Sequence, residues 1–188
     1  MEPGEGLVLL SSEGVQWGTE ELVGLLQRSA LRLARDEPGA PLLVGSLSRQ
    51  RGGRLPPHDS HQSGRDADLG FFLTDQEGEP VAATSFVELE EESGCGRHEG
   101  RLVCIDPRRT FQLVVALLGD DAVRVRFILM ASDLRQLVLA SGRRLEVPEE
   151  LMHRVEEATA HRQGSASHRS HLHVRIETSD DDRPRCQG

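Results

Sequence analysis

RDADLGFFL, Arg65 to Leu73, and HLHVRI, His171 to Ile176, are the stretches whose reading decides the fold. Successive side chains of a strand point to opposite faces, so in the first stretch Asp66 and Asp68 look one way while Ala67, Leu69 and Phe71 look the other, toward a core. The second stretch is an apolar run that reads as another strand, and in it His171 and His173 share a face, about 6.6 Å apart. Each strand is therefore expected to bury one face and to present chemistry on the other.

Working outward, HQSGRDAD adds His61 seven positions before Asp68. Histidine nitrogens and one carboxylate oxygen are what a catalytic zinc takes from a protein while keeping a fourth position open for water, and an open position points to hydrolysis. One histidine of HLH can bind the metal directly, and the other can reach its water. The competing reading is that these are ordinary polar residues on half-exposed strands; it would be preferred for a lone histidine, and it weakens when both segments are present. No HExxH occurs, so the glutamate base of the common zinc peptidases is absent.

Composition narrows the rest. The chain has 188 residues, enough for one domain with a real core. Its formal net charge is -9, which argues against a nucleic-acid partner. Every basic residue is arginine, so Schiff-base and P-loop lysines are excluded. There is no Tyr, and Trp17 and five Phe are the only aromatic residues, so a tyrosine acid and a stacked nucleic-acid platform are excluded too. No stretch is long enough to span a membrane, and LVLL, Leu7 to Leu10, is too short for a signal-peptide core. Cys95 and Cys104 flank GRHEGRLV and can pair across a hairpin, with Cys186 left in the tail; a second zinc set of Cys95, His98 and Cys104 is the lesser alternative.

The periodicity predicts a helix starting at Thr19 with the stripe Leu22, Leu26, Ala30 and Leu33, ending before Glu37-Pro38-Gly39. Strands are expected at Leu42 to Leu47, Val81 to Leu89, Arg101 to Ile105 and Val123 to Met130, with an acidic solvated loop over Glu90 to Gly100. Arg108 to Leu118 reads as a buried helix. Ser132 is expected to cap a helix carrying Leu134, Leu137 and Val138 that Gly142 closes, and Pro148 to open a last helix with Leu151, Met152, Val155 and Ala158 inward. The loop SRQRGGRLPPHDSH runs into His61, and Arg162 to Ser170 reads as a polar loop. Elements mixed without strict alternation predict an α+β single domain, a central antiparallel sheet flanked by helices, over residues 1–178 with an acidic tail at 179–188.

GGRLPPHDSHQSGRDADLGFF (Gly52 to Phe72) and SHRSHLHVRI (Ser167 to Ile176) resemble the penicillin-insensitive murein endopeptidases, within the superfamily of lysostaphin, the D-Ala-D-Ala peptidases and the hedgehog domain. Weaker likeness runs from WGTEELV near Trp17 through GSLSRQ into the helix after Asp106. The resemblance implies the same fold. It also implies that His61, Asp68 and His173 bind Zn2+, with His171 a catalytic group beside it and His168 and His58 histidines of the cleft. His153, His161 and His98 have less to support a role. Arg65 can bind a substrate carboxylate or pair with Asp66 or Asp59, and Arg49, Arg51 and Arg54 add positive charge nearby.

The implied partner is crosslinked peptidoglycan peptide. The implied activity is metal-assisted hydrolysis of the D-Ala to meso-diaminopimelate crosslink in the periplasm or outside the cell, which leads us to expect a leader removed from the chain as written. Carboxypeptidase action on uncrosslinked stems is the runner-up. A zinc-bearing binding domain without turnover is the alternative of another class, against which the intact His171 and His168 argue. Relatives often carry a cysteine soon after HLHVRI, where this chain has ETSDDD, so a tail disulfide is not expected.

Overall fold

The computed structural model describes residues 4–10, 14–36, 39–56, 60–160 and 168–178, so the tail at 179–188, His58, Asp59, His161 and Cys186 lie outside it. The strands are β1 (Leu7–Leu9), β2 (Leu42–Val44), β3 (Asp66–Gly70), β4 (Leu73–Thr74), β5 (Pro80–Val81), β6 (Cys95–His98), β7 (Arg101–Ile105), β8 (Val125–Leu129) and β9 (His171–Ile176). The helices are α1 (Glu20–Asp36), α2 (Pro107–Leu118), α3 (Ser132–Arg144) and α4 (Glu149–Ala158). The fold is α+β, as expected, but it carries two sheets rather than one.

The larger sheet has the order β1-β2-β3-β9-β8, in which only β1 and β2 run parallel. Two strands joined through a helix can run parallel, and α1 supplies that crossover. Ala67 and Leu69 of β3 with Leu172, Val174 and Ile176 of β9 join Leu22, Leu26, Phe111 and Leu117 in one apolar core. That burial fixes the register, because a slip by one residue would turn these side chains off the core and the carboxylates into it. Asp66, Asp68 and Gly70 thereby face Arg175, His173 and His171 in turn.

The smaller sheet, β5-β4-β7-β6, is antiparallel throughout. Cys95 and Cys104 stand opposite each other in β6 and β7 and form a disulfide, as the hairpin reading allowed. Both sulfurs are thus committed to each other, which rules out the second zinc set.

Several boundaries differ from the sequence reading. The stretch Val81 to Leu89 contributes only the end of β5, because its remaining residues wrap over the larger sheet and bring Phe86 against Gly45 and Gly70 instead of pairing. Leu42 to Leu47 shortens to β2, since Leu47 leaves the strand and donates its N–H to the Val15 carbonyl at 2.9 Å. Part of the proposed solvated loop is β6, whose partner is the neighbouring β7.

Ser132 lies inside α3 and gives no side-chain cap, and Leu137 is exposed. Gly142 does not end α3; it is an interior residue against which the Phe111 ring of α2 packs, where a Cβ would meet that ring at 2.2 Å. In α4 only Val155 of the proposed stripe is fully buried. By contrast α2 begins as its sequence demands, with Asp106 accepting the Arg109 N–H at 3.0 Å and Pro107 in the first turn.

Candidate metal centre

Asp68 and His173 are direct cross-strand partners on β3 and β9, so the pleat aims both side chains at one spot. His61 arrives from the loop before β3, with φ at 56°. Three donor atoms converge: His61 Nε2 to Asp68 Oδ1 is 3.1 Å, His61 Nε2 to His173 Nδ1 is 3.2 Å, and His173 Nδ1 to Asp68 Oδ1 is 3.1 Å. Tetrahedral zinc with bonds of about 2.0–2.1 Å sets its ligand atoms roughly 3.3–3.4 Å apart, so the triangle has the size of one face of such a polyhedron. The residues are 0%, 2% and 4% exposed. Among the described residues this is the group of histidines and acids that can hold a metal ion.

The far side of each imidazole is also held. His61 Nδ1 lies 2.6 Å from the carbonyl of Leu47, and His173 Nε2 lies 3.1 Å from Asp66 Oδ1. Such outer partners accept the ring N–H, fixing the tautomer that leaves the inner nitrogen as a donor to metal. Asp66 also accepts the backbone N–H of His61 at 3.3 Å and has Arg175 3.6 Å away.

Charge balance follows this arrangement. Burial pulls the His173 imidazole down, but its hydrogen bonds to Asp66 and Asp68 and their charges outweigh that and raise it to about 9. Burial raises Asp66 and Asp68, but hydrogen bonds from His173, with His61 also bonding Asp68, hold both below the usual carboxylate range.

His171, two residues before His173 at the start of β9, faces Gly70, where no side chain competes for space. Its Nε2 is 3.5 Å from Asp68 Oδ1, and its Nδ1 is 2.9 Å from Ser170 Oγ. Phe86 stacks on the ring at a centroid distance of 5.0 Å and an angle of 17°. The His168 ring lies 5.1 Å from that of His171 and 5.5 Å from that of His173.

The segment bearing His168 is tied down on both sides. Ala131 N–H donates to the His168 carbonyl at 2.9 Å, and Arg169 reaches Asp133 with two bonds of 2.8 and 2.7 Å and the Leu89 carbonyl at 2.7 Å. Bidentate pairing of this kind fixes direction as well as distance.

The structure thus brings together His61, Asp68, His173, His171 and His168. Arg65 is 8% exposed, with a guanidinium nitrogen 3.5 Å from the Ser63 carbonyl, whereas Arg49 and Arg54 are exposed. His98 sits in β6 of the smaller sheet and His153 on α4 beside Glu157, at 3.5 Å. Sequence reasoning placed Asp66 on the face of Asp68 but assigned it no task, and it missed Phe86, Ser170 and Arg169. The i, i+2 spacing was a usable signal for Asp66; Phe86 and the Arg169 to Asp133 pair leave none, since their partners lie far away in the chain.

A buried His2Asp set, two members on adjacent antiparallel strands and one on the loop before them, with two further histidines beside it, defines a protein with a group able to hold a metal ion. The chain matches the family described as penicillin-insensitive murein endopeptidase over residues 4–188 and belongs to that family, whose name is that of peptidases acting on murein. No curated protein matches it.

Proposed function

We propose that the chain is a zinc-dependent murein D,D-endopeptidase that hydrolyses the D-Ala to meso-diaminopimelate crosslink of peptidoglycan. The observation that carries this reading is the triangle of His61, Asp68 and His173 donor atoms with 3.1 to 3.2 Å edges, in a chain of the murein endopeptidase family. Its donor set of two nitrogens and one carboxylate oxygen suits zinc.

When bound, zinc lowers the pKa of water to about 7 and polarises a carbonyl. His61, Asp68 and His173 hold it, and Asp66 and the Leu47 carbonyl keep both imidazoles aimed. His171 takes a proton from the attacking water and returns it to the leaving amine, its ring fixed by Ser170 and Phe86. His168 stands close enough to share that task or to donate to the developing oxyanion. His58, outside the described residues, keeps its place in the proposal as a further cleft histidine. Arg49 and Arg54 offer charge to stem carboxylates, and Arg65 supports the loop or joins them.

The catalytic domain is residues 1–178, with 179–188 a tail. A Cys95–Cys104 disulfide supports an oxidising, extracytoplasmic setting, and among the described residues no helix is long and apolar enough to cross a membrane.

Defined muropeptides test the proposal. Protein loaded with zinc converts crosslinked dimers to monomers, a chelator stops it, and penicillin does not, because no serine is acylated. Release of free D-Ala from monomers with dimers left intact would establish a carboxypeptidase instead. Full zinc occupancy without hydrolysis of either would leave a binding domain.

A further inference from the structure

A groove of about 340 Å³ is lined by Trp17, Ser48, Arg49, Arg51, Gln62 and Gly64 among others. Two of its lining residues are next in sequence to residues of the metal centre: Ser48 follows Leu47, whose carbonyl holds His61, and Gln62 follows His61 itself. Backbone bonds lock the floor, from Trp17 N–H to the Ser48 carbonyl at 3.1 Å, Thr19 N–H to Gly64 at 2.9 Å and Gly53 N–H to Gln62 at 2.9 Å. Gly52 and Gly64 allow this approach, with φ at +66° and +71°; a Cβ at Gly52 would stand 2.5 Å from the Gln62 carbonyl oxygen.

Two features of the groove have no structural explanation. Trp17 is the sole tryptophan of a chain with 3% aromatic residues, yet it is 45% exposed rather than spent on the core. Arg49 and Arg51, two positions apart, are both exposed in a protein of net charge -9. In addition, the Ser48 hydroxyl is buried with no hydrogen-bond partner among the described residues. An exposed indole offers a flat apolar face for the C–H face of a sugar ring, and arginine forks pair with carboxylates.

We propose that this groove is a subsite for the sugar-bearing end of the murein stem, with a saccharide ring on Trp17 and a stem carboxylate on Arg49 and Arg51. The enzyme then reads the glycan attachment as well as the crosslink, and prefers peptides still joined to sugar over free crosslinked peptide. The assignment rests on the murein endopeptidase reading, but Trp17 also reports binding without turnover.

Because Trp17 is the only tryptophan, intrinsic fluorescence of the zinc-loaded full chain reads the subsite directly. Titration with an uncrosslinked disaccharide tetrapeptide shifts the emission to the blue and saturates, whereas the sugar-free tetrapeptide leaves it unmoved. An unmoved emission with the disaccharide tetrapeptide overturns the subsite whether or not the protein hydrolyses anything. Kinetics on crosslinked dimers supply the second arm. Trp17→Ala raises KM for sugar-bearing dimers by about ten-fold at unchanged kcat, Trp17→Phe restores most of it, and KM for sugar-free dimers stays put. The double change Arg49→Gln, Arg51→Gln raises KM for both substrates, since both carry the carboxylate. Equal effects of Trp17→Ala on the two substrates would overturn the sugar assignment. Failure of the wild-type protein to cut either dimer would overturn the function proposed above and leave the fluorescence result standing.

Discussion

Asp66 Oδ1 lies 3.1 Å from His173 Nε2, on the side of the imidazole away from the donor cluster. One carboxylate thus orients a ring whose other nitrogen meets Asp68 and His61. Because Asp66 also accepts the His61 N–H, it ties two candidate ligands from distant parts of the chain to one group.

Asp66→Ala is therefore expected to keep all three candidate ligands and still weaken zinc binding by roughly 10–100-fold, the usual effect of losing an outer partner of a ligating histidine. Competition with a chromophoric chelator measures it. An unchanged affinity would show that Asp66 merely neutralises Arg175.

Asp68→Ala and His173→Ala each remove a proposed ligand and should lose both metal and hydrolysis. His171→Ala separates from them: zinc content stays at wild-type level while kcat falls by roughly 10²–10⁴-fold. Elemental analysis alongside turnover decides between these outcomes, and zinc loss from His171→Ala would make it a ligand.

Phe86→Ala leaves His171 without its stacked neighbour, and the loss is expected to lower kcat by roughly 10- to 100-fold through misplacement of the ring. Metal content should not change. Replacement by Leu, which fills space without stacking, recovers folding stability but only part of the rate. A variant as fast as wild type would reduce Phe86 to a filler over Gly45 and Gly70.

The raised pKa of His173 couples pH to the protein stripped of zinc. A group charged more readily in the folded state stabilises it fully below its unfolded value, 6.5, and loses that contribution as pH rises through about 9. Asp66 and Asp68 act in the opposite sense, stabilising above an unfolded value of 3.8 and losing this as pH falls through their lowered folded values. Urea midpoints of chelated protein should accordingly decline between pH 6.5 and 9. Zinc, which must displace the His173 proton, should bind more tightly over the same interval and release protons on binding. A midpoint that does not vary across it would show that His173 is already neutral at pH 6.5.

Replacing Cys95 and Cys104 together by serine opens a short loop remote in sequence from the metal centre. The expected cost is about 2–3 kcal/mol of unfolding free energy, from a freer unfolded chain, with zinc affinity retained. Denaturation in urea with and without reductant checks this.

Much of this was legible in the chain itself. Alternation in DADLG and HLHVRI assigned Asp68 and His173 to strands and to the face away from Leu69 and Leu172, because a period of two ties side-chain direction to sequence position. Helix α2 announced itself through the apolar run from Arg108 to Leu118. Local chemistry also allowed the Cys95 to Cys104 pair, since a hairpin brings neighbours in sequence together.

What tertiary structure alone decided is which distant atoms meet. Strand register set Asp68 across from His173, and the loop before β3 returned His61 to them with its Nδ1 on the Leu47 carbonyl. No pattern within Val81 to Leu89 could reveal that Phe86 would leave strand pairing to stack on His171, because that choice depends on the gap left by Gly45 and Gly70. Gly142 shows the same limit: its sequence reads as a helix end, but the Phe111 ring requires a bare backbone there, and packing outweighs local propensity. Sequence determines the direction of a side chain from its own strand or helix, whereas its partner is set by the long-range burial that closes the fold.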